Sequence, residues 1–445
     1  MKHQEKTLKK MEKSNILFDM SDPGTGKTFG QVVAYSRRRK KNGKNALVIA
    51  PRSLLRSAWE DDFRKFAPEL TCSVATAINR QKAFDTKADV YITNTDAAVW
   101  LAKQKPAFFT RFDTLIIDEV DSFKHGTSAR SKAINKIKKY FKYRSVLSGS
   151  PATVTICDVH NPVNILDDGA RLGSSFFGFR AAVCSPRQVG PSREMVRWED
   201  KPGAEETVYG LVADITVRHK LEECVDIPEN FRTIIDYHLT DKQLKAYSQM
   251  EAAQVAVLSK TKVVSALQAS SVRTKLLQIA SGAVYESPDN YHVVDTERYE
   301  LIIDLVIQRK HPIVFFLWKH QLVELVKQAQ ARKLKYAVIN GDTSDKERYD
   351  IVTAYQAGFY DVVFGHPLSM AHGLTFTKGT SVIWSSPTDN LAWFKQGNHR
   401  QYRNGQKEKT EVVVVVAKGT IEERLYERCL VQGLRMNTFL ELFGE

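Results

Sequence analysis

Apolar residues in this chain gather in short runs and do not alternate with polar ones. The first third carries ILFDM (16–20), ALVIA (46–50), DVYIT (89–93), TLIID (114–118) and SVLSG (145–149). The last third carries IVFFLW (313–318), YAVIN (336–340), DVVFG (361–365), SVIWS (381–385) and VVVVVA (412–417). Val- and Ile-rich runs without alternation predict strands covered on both faces, as in a parallel sheet. Their alternation with amphipathic stretches predicts α/β units, and two separate groups predict two lobes. The expected architecture is therefore α/β: two tandem lobes, each a mainly parallel sheet flanked by helices, with a small insertion and linker between them.

The boundaries expected are 1–155 for the first lobe and 236–445 for the second. Residues 156–235 would be the end of the first lobe plus a helical or irregular insertion, since this stretch is richer in Gly, Pro and single aromatics. Residues 240–280 predict a long helical stretch capped by Thr240 and Asp241. In KAINKIKKYFKYR (132–144), Ala133, Ile134, Ile137 and Phe141 recur at helical spacing, so the lysines are expected on the solvent face. RRRKKNGK (37–44) reads as a solvated helix end, where cations complement the helix dipole.

Composition narrows the function classes. The 445 residues are 43% apolar and 26% charged, which argues against a largely disordered chain. The formal net charge of +14 favours a polyanionic partner, nucleic acid first. Cys72, Cys157, Cys184, Cys224 and Cys429 form no CxxC pair, so neither a zinc knuckle nor a disulfide framework is indicated. Scattered thiols fit a reducing compartment. The N-terminus lacks an apolar signal core, and no apolar run approaches the roughly 20 residues of a membrane helix. A cytoplasmic protein with no membrane partner is expected.

Two short motifs carry chemistry. In DPGTGKT (22–28), Gly24, Thr25 and Gly26 let the backbone approach a phosphate, Lys27 would pair with the β- and γ-phosphates, and Thr28 would hold Mg²⁺. Ser21 stands where such loops usually open with Gly, and it is turn-compatible. LIIDEVD (115–121) ends a strand with two carboxylates at the sheet edge where open α/β sheets bind ligands. Asp118 would anchor Mg²⁺ and Glu119 would activate the attacking water.

These motifs, with others in order, resemble a superfamily-2 helicase core of the Snf2-like branch of DNA-dependent ATPases. His3-Gln4 resembles the adenine-side pair, with Gln4 on ATP; DPGTGKT resembles motif I. APRSLLRSAWEDDFRKF (50–66), with Trp59, resembles motif Ia, and ITNTD (92–96) motif Ib. DEVDSFKHGTSARSKA (118–133) resembles motif II, Asp121 standing where the DEAH group has His, and LSGSPAT (147–153) resembles motif III. INGDTSDKER (339–348) is similar to motif IV, LSMAHGLTFTKGTSVIW (368–384) to motif V and QGNHRQYRNGQ (396–406) to motif VI. GTIEERLYERC (419–429) is similar to the family's closing segment.

The resemblance implies two RecA-like lobes that hydrolyse ATP with Mg²⁺ between them. Gln396, Arg400 and Arg403 would act on the nucleotide, the two arginines sharing one helical face by their spacing. Asp121, Ser148 and Gly373 would couple hydrolysis to movement. Arg52, Ser53, Thr93, Lys124, Gly341 and Ser369 would contact nucleic acid, mostly at phosphates and sugars. The implied partner is DNA, duplex ahead of single-stranded, with RNA as an alternative. Small Snf2-like proteins resemble bacteriophage-encoded ones, which implies a replication, recombination or repair setting, on a nucleoid or in a host cytoplasm. The competing readings are a strand-separating helicase and an inactive nucleic-acid-binding scaffold. Because Ser21 reads as a local variant, Ser21→Gly is expected to change KM for ATP only slightly in steady-state hydrolysis assays; a large loss of activity would contradict this.

Overall fold

The computed structural model describes residues 1–189, 195–260, 266–287, 290–370 and 374–443. They divide into two compact units, Met1–Asp226 with Gln432–Glu445, and Ile227–Val431.

In the first unit, β1 (Ile16–Asp19), β2 (Asn45–Ala50), β3 (Cys72–Ala75), β4 (Val90–Asn94), β5 (Phe112–Ile117) and β6 (Tyr143–Leu147) follow in sequence. An antiparallel hairpin, β7 (Cys184–Gln188) and β8 (Val196–Asp200), then precedes the short β9 (Thr216–Val217). Strands β1–β6 and β9 form one sheet in the order β3-β4-β2-β5-β6-β1-β9, parallel throughout. Parallel strands place the ends of β1, β5 and β6 at one edge, so the loops after them gather there. Each falls on an apolar run expected to be a strand.

The second unit contains β10 (Asn230–Tyr237), β11 (Ala283–Ser287), β12 (Asn290–Val293), β13 (Ile313–Phe315), β14 (Tyr336–Ile339), β15 (Val362–Gly365), β16 (Ser381–Trp384) and β17 (Thr410–Ala417). Six of them build a parallel sheet in the order β10-β17-β16-β13-β15-β14, while β11 and β12 form an antiparallel hairpin. Val412–Ala417 of β17 are buried, as an unalternating run predicts for a strand between two neighbours. On the edge strand β10, Phe231 and Ile234 are exposed. Among the described residues of the stretch 240–280, helix runs over Asp241–Lys260 and Ala266–Ala280.

One expectation about the surface fails. The helix Ala129–Ile137 buries Ala133, Ile134 and Ile137 as its spacing predicts, but Lys138 is buried too. The α-helix stops at Ile137 and a tighter turn, Lys138–Tyr140, swings this lysine inward. Its ammonium then donates to the Asn164 side chain (3.0 Å) and pairs with Asp168 (3.4 Å).

The core of the second unit contains a buried ion pair between Arg298 and Glu422. The guanidinium donates to both Glu422 oxygens (3.0 and 2.9 Å) and to the carbonyls of Ser385, Ala280 and Val415 (2.9, 2.9 and 2.8 Å). All five of its donors are thereby used, the condition under which a buried arginine is tolerable.

His320 is buried beside this pair, its ring within hydrogen-bond distance of the Ser281 and Tyr285 hydroxyls (3.1 and 3.2 Å). Burial, with a smaller contribution from the Arg298 charge, lowers its pKa to about 4. Unfolding in acid therefore takes up a proton the folded chain refuses. This stabilisation is full above the ordinary histidine pKa near 6.5 and is lost as pH falls toward 4. Melting curves of the parent and His320→Gln should accordingly converge between pH 7 and 4.5, whereas parallel Tm–pH curves would contradict this.

Candidate nucleotide-binding site

The loop after β1 passes through Gly24 (φ 88°) and Gly26 (φ 80°) before the helix Lys27–Lys40 begins. Left-handed backbone favours glycine at both positions, and at Gly26 a Cβ would also lie 2.8 Å from the Gln4 amide nitrogen. Gln4 thus packs directly on the loop, and the His3 ring meets the Thr25 carbonyl (2.9 Å). His3, Gln4, Asp19, Ser21, Lys27 and His219 line one cleft. The Lys27 ammonium donates to the Ser21 carbonyl (2.8 Å), which holds it across the mouth of the loop.

The loop is anchored from the segment after β9. Ser21 is buried, and its hydroxyl oxygen accepts the His219 backbone N–H (3.1 Å). The Asp22 carboxylate accepts from Arg218 (2.8 Å) and from the Leu221 N–H (3.1 Å), while the Asp22 N–H donates to the His219 carbonyl (3.0 Å).

The second strand end contributes the carboxylates. Asp118 is buried past the end of β5, and its N–H donates to the Ile49 carbonyl (2.8 Å). One of its oxygens accepts the Trp59 indole N–H (2.9 Å) and the other the Glu119 N–H (3.0 Å). Glu119 itself adopts φ 49°, uncommon for a residue with a side chain and frequent at functional turns. The Thr28 hydroxyl donates to Asp62 on the helix Asp61–Phe66. Burial pushes the Asp62 carboxyl above the usual range, opposed by that bond and by Lys65.

Motifs II and III meet at Asp121, which accepts from the Ser148 hydroxyl (2.7 Å) and the Ser150 hydroxyl (3.1 Å). Burial first, then the Glu119 charge, pushes the Asp121 carboxyl up to about 7. The Ser148 N–H donates to the Asp19 carbonyl (3.0 Å), and a Cβ on Gly149 would lie 2.9 Å from Pro23. The structure therefore brings Gln4, Gly24, Thr25, Gly26, Lys27, Thr28, Asp118, Glu119, Asp121 and Ser148 to one end of the first sheet.

These groups fit a magnesium nucleotide on their own chemistry. A left-handed glycine turn opens a helix, where backbone N–H groups suit an anion. An ammonium lies over the turn. Thr28 gives its only hydroxyl proton to Asp62, keeping oxygen lone pairs for a hard cation, and Asp118 supplies carboxylate oxygen.

In the second unit, Arg400 and Arg403 converge on the Leu374 carbonyl (3.1 and 2.8 Å), and Arg400 also donates to the Gln396 carbonyl (2.7 Å). They do not share a helical face. The helix Leu391–Asn398 ends before them because the Arg400 N–H bonds back to Gly397 and its carbonyl accepts from the Phe376 N–H. Gln396 lies buried on that helix, and burial holds the Arg403 guanidinium below its ordinary range. Gly373 lies outside the described residues.

The expected nucleic-acid contacts fare unequally. Arg52, Ser53, Gly341 and Ser369 are exposed or half-buried. Thr93 is fully buried within the sheet, its hydroxyl donating to the Ala75 carbonyl (2.9 Å). Lys124 turns inward to the Thr153 hydroxyl (3.0 Å) and Asp158 (3.3 Å). Each thus takes a partner that the fold provides, as polar groups away from solvent do.

Sequence reasoning missed Arg218, His219 and Asp62. Arg218 and His219 stand nearly 200 residues from the loop they hold, and no local pattern links them. Asp62 had a signal, since it lies one helical turn beyond Trp59 in the run AWEDDF.

The family description "SNF2-related domain" matches residues 5–282, and "Helicase conserved C-terminal domain" matches residues 297–405. Protein p41 of Acyrthosiphon pisum secondary endosymbiont phage 1 is 27% identical over 439 residues, 94% of this chain and 92% of that one. An uncharacterized ATP-dependent helicase of Mycoplasma pneumoniae is 24% identical over 424 residues, 92% of this chain but 38% of its own length. The chain thus spans nearly all of the phage protein and well under half of the mycoplasma one. The SWI2/SNF2 ATPase core of Sulfolobus solfataricus in complex with dsDNA is 20% identical, covering 98% of this chain and 93% of that one with a TM-score of 0.44, too low to carry weight.

Removing the Ser21 hydroxyl leaves the half-buried His219 N–H without this acceptor. Ser21→Gly should lower stability by about 1–2 kcal/mol in urea unfolding; an unchanged midpoint would contradict the anchor.

Proposed function

The chain belongs to the SNF2-related family, and from that premise we propose that it is a nucleic-acid-dependent ATPase that moves along duplex DNA. The observation that carries this reading is the joining of the Lys27–Thr28 helix start to the Asp118–Glu119 strand end at one edge of the first sheet, through Trp59 and Asp62. A family domain alone would be compatible with a binding scaffold; a scaffold has no use for a braced pair of oxygen ligands beside a strained glutamate.

In this reading Lys27 pairs with the nucleotide's outer phosphates, and Gln4 lies on the adenine side. Thr28 and Asp118 would hold magnesium, which supplies charge neutralisation on the phosphates when bound. Glu119 orients the attacking water and accepts its proton. Arg400 and Arg403 are assigned to charge on the transferring phosphoryl group, from the QxxxRxxRxGQ pattern and their convergence on one carbonyl. Asp121 and Ser148 link the acidic turn to the loop after β6, a path by which hydrolysis could bias the rest of the chain. The net charge of +14 accords with a phosphate backbone as partner, and binding should weaken steeply with salt.

Glu119→Gln should cut DNA-stimulated phosphate release by roughly 10²–10⁴-fold while leaving ATP binding in place. Duplex DNA, single-stranded DNA and RNA should be compared in the same assay. Displacement of a third strand from a triplex would support movement on duplex, and release of a strand from a fork would favour a strand-separating helicase. Parent-like hydrolysis by Glu119→Gln would overturn the assignment.

A further inference from the structure

The two side chains assigned to magnesium come from distant parts of the sequence, Thr28 from the helix Lys27–Lys40 and Asp118 from just past the end of β5. Both are held by a third segment. Residues Leu55–Glu60 wind as a π-helical turn that runs straight into the α-helix Asp61–Phe66. From the first piece, the Trp59 indole N–H donates to one Asp118 oxygen at 2.9 Å. From the second, the Asp62 carboxylate accepts the Thr28 hydroxyl proton. π-Helical turns are rare and recur at functional sites.

Each bond settles an orientation. A threonine hydroxyl has one proton, so donating it to Asp62 fixes where its lone pairs point. A carboxylate rotates about its terminal torsion, and pinning one Asp118 oxygen on the indole and the other on the Glu119 N–H fixes its plane. The segment giving these bonds is itself held. Trp59 is fully buried and packs against Phe63, while the Phe66 ring meets Phe29 of the helix Lys27–Lys40 edge to face at 4.9 Å. The neighbouring Asp61 is exposed and pairs with Arg64 (3.0 Å), away from the site.

We propose that Trp59 and Asp62 are positioning residues for the magnesium nucleotide, acting through Asp118 and Thr28. This rests on the ATPase reading above. Groups that orient metal ligands from behind govern affinity for the metal-bound form, and their loss leaves metal-free nucleotide binding to the loop itself.

The test is binding of a fluorescent ADP analogue to the whole chain, once with magnesium and once with EDTA. Trp59→Phe keeps an aromatic ring in the core and removes the N–H; Asp62→Ala removes the acceptor. Each should lose about 10-fold or more of the affinity gained from magnesium, with EDTA binding changed less than about twofold. Asp62→Asn, which keeps an acceptor oxygen, should retain most of the gain, and Asp61→Asn should match the parent. Should Trp59→Phe weaken EDTA binding through misfolding, the half-buried Asp62 position decides. Equal losses with and without magnesium, or an unchanged magnesium gain in Asp62→Ala, would overturn the proposal while leaving the ATPase reading intact. Failure of the parent chain to bind nucleotide at all would overturn both.

Discussion

The loop after β1 makes a sharp glycine turn, and a turn of that kind keeps its shape only where side chains and neighbouring backbone hold it. Here the holding falls to residues 218–221. The Ser21 hydroxyl and the Asp22 carboxylate accept from His219, Arg218 and Leu221, and the Asp22 N–H returns a bond to His219. The glycine turn through Gly24 and Gly26 then leads directly into the helix start at Lys27. Everything else in the site is arranged around that fixed start: Gln4 packs on Gly26, Lys27 spans the loop, and Thr28 reaches Asp62.

The parallel sheet explains why so few connections suffice. With β1, β5 and β6 pointing one way, three loops from distant parts of the sequence arrive together, and each needs only one or two bonds to its neighbours. Ser148 bonds both Asp19 and Asp121, and Trp59 bonds Asp118. The second unit follows the same plan, with Arg298 and Glu422 satisfying each other in its core. Its arginine pair converges on the Leu374 carbonyl, and Arg400 donates to the Gln396 carbonyl as well.

Much of this was legible in the sequence because burial on both faces leaves a clear mark. Runs such as ILFDM and TLIID read as strands inside a sheet, and the motifs at their ends named Lys27, Thr28, Asp118 and Glu119. Family resemblance extended that reading to Asp121 and Ser148, which the structure joins. Thr93, Lys124 and Lys138 look like surface residues by type, yet each found an internal partner that only the fold supplies. The spacing of Arg400 and Arg403 fits one helical face, but a backbone bond to Gly397 ends that helix first. Arg218 and His219 carry no local pattern at all, because their role exists only once β9 lies beside β1.

Movement along duplex DNA is the central claim, and the dependence of steady-state ATP hydrolysis on DNA length addresses it most directly. A chain that travels dissociates at ends, so its maximal rate should rise with duplex length and then level off. A rate that is stimulated by DNA but independent of its length would contradict translocation.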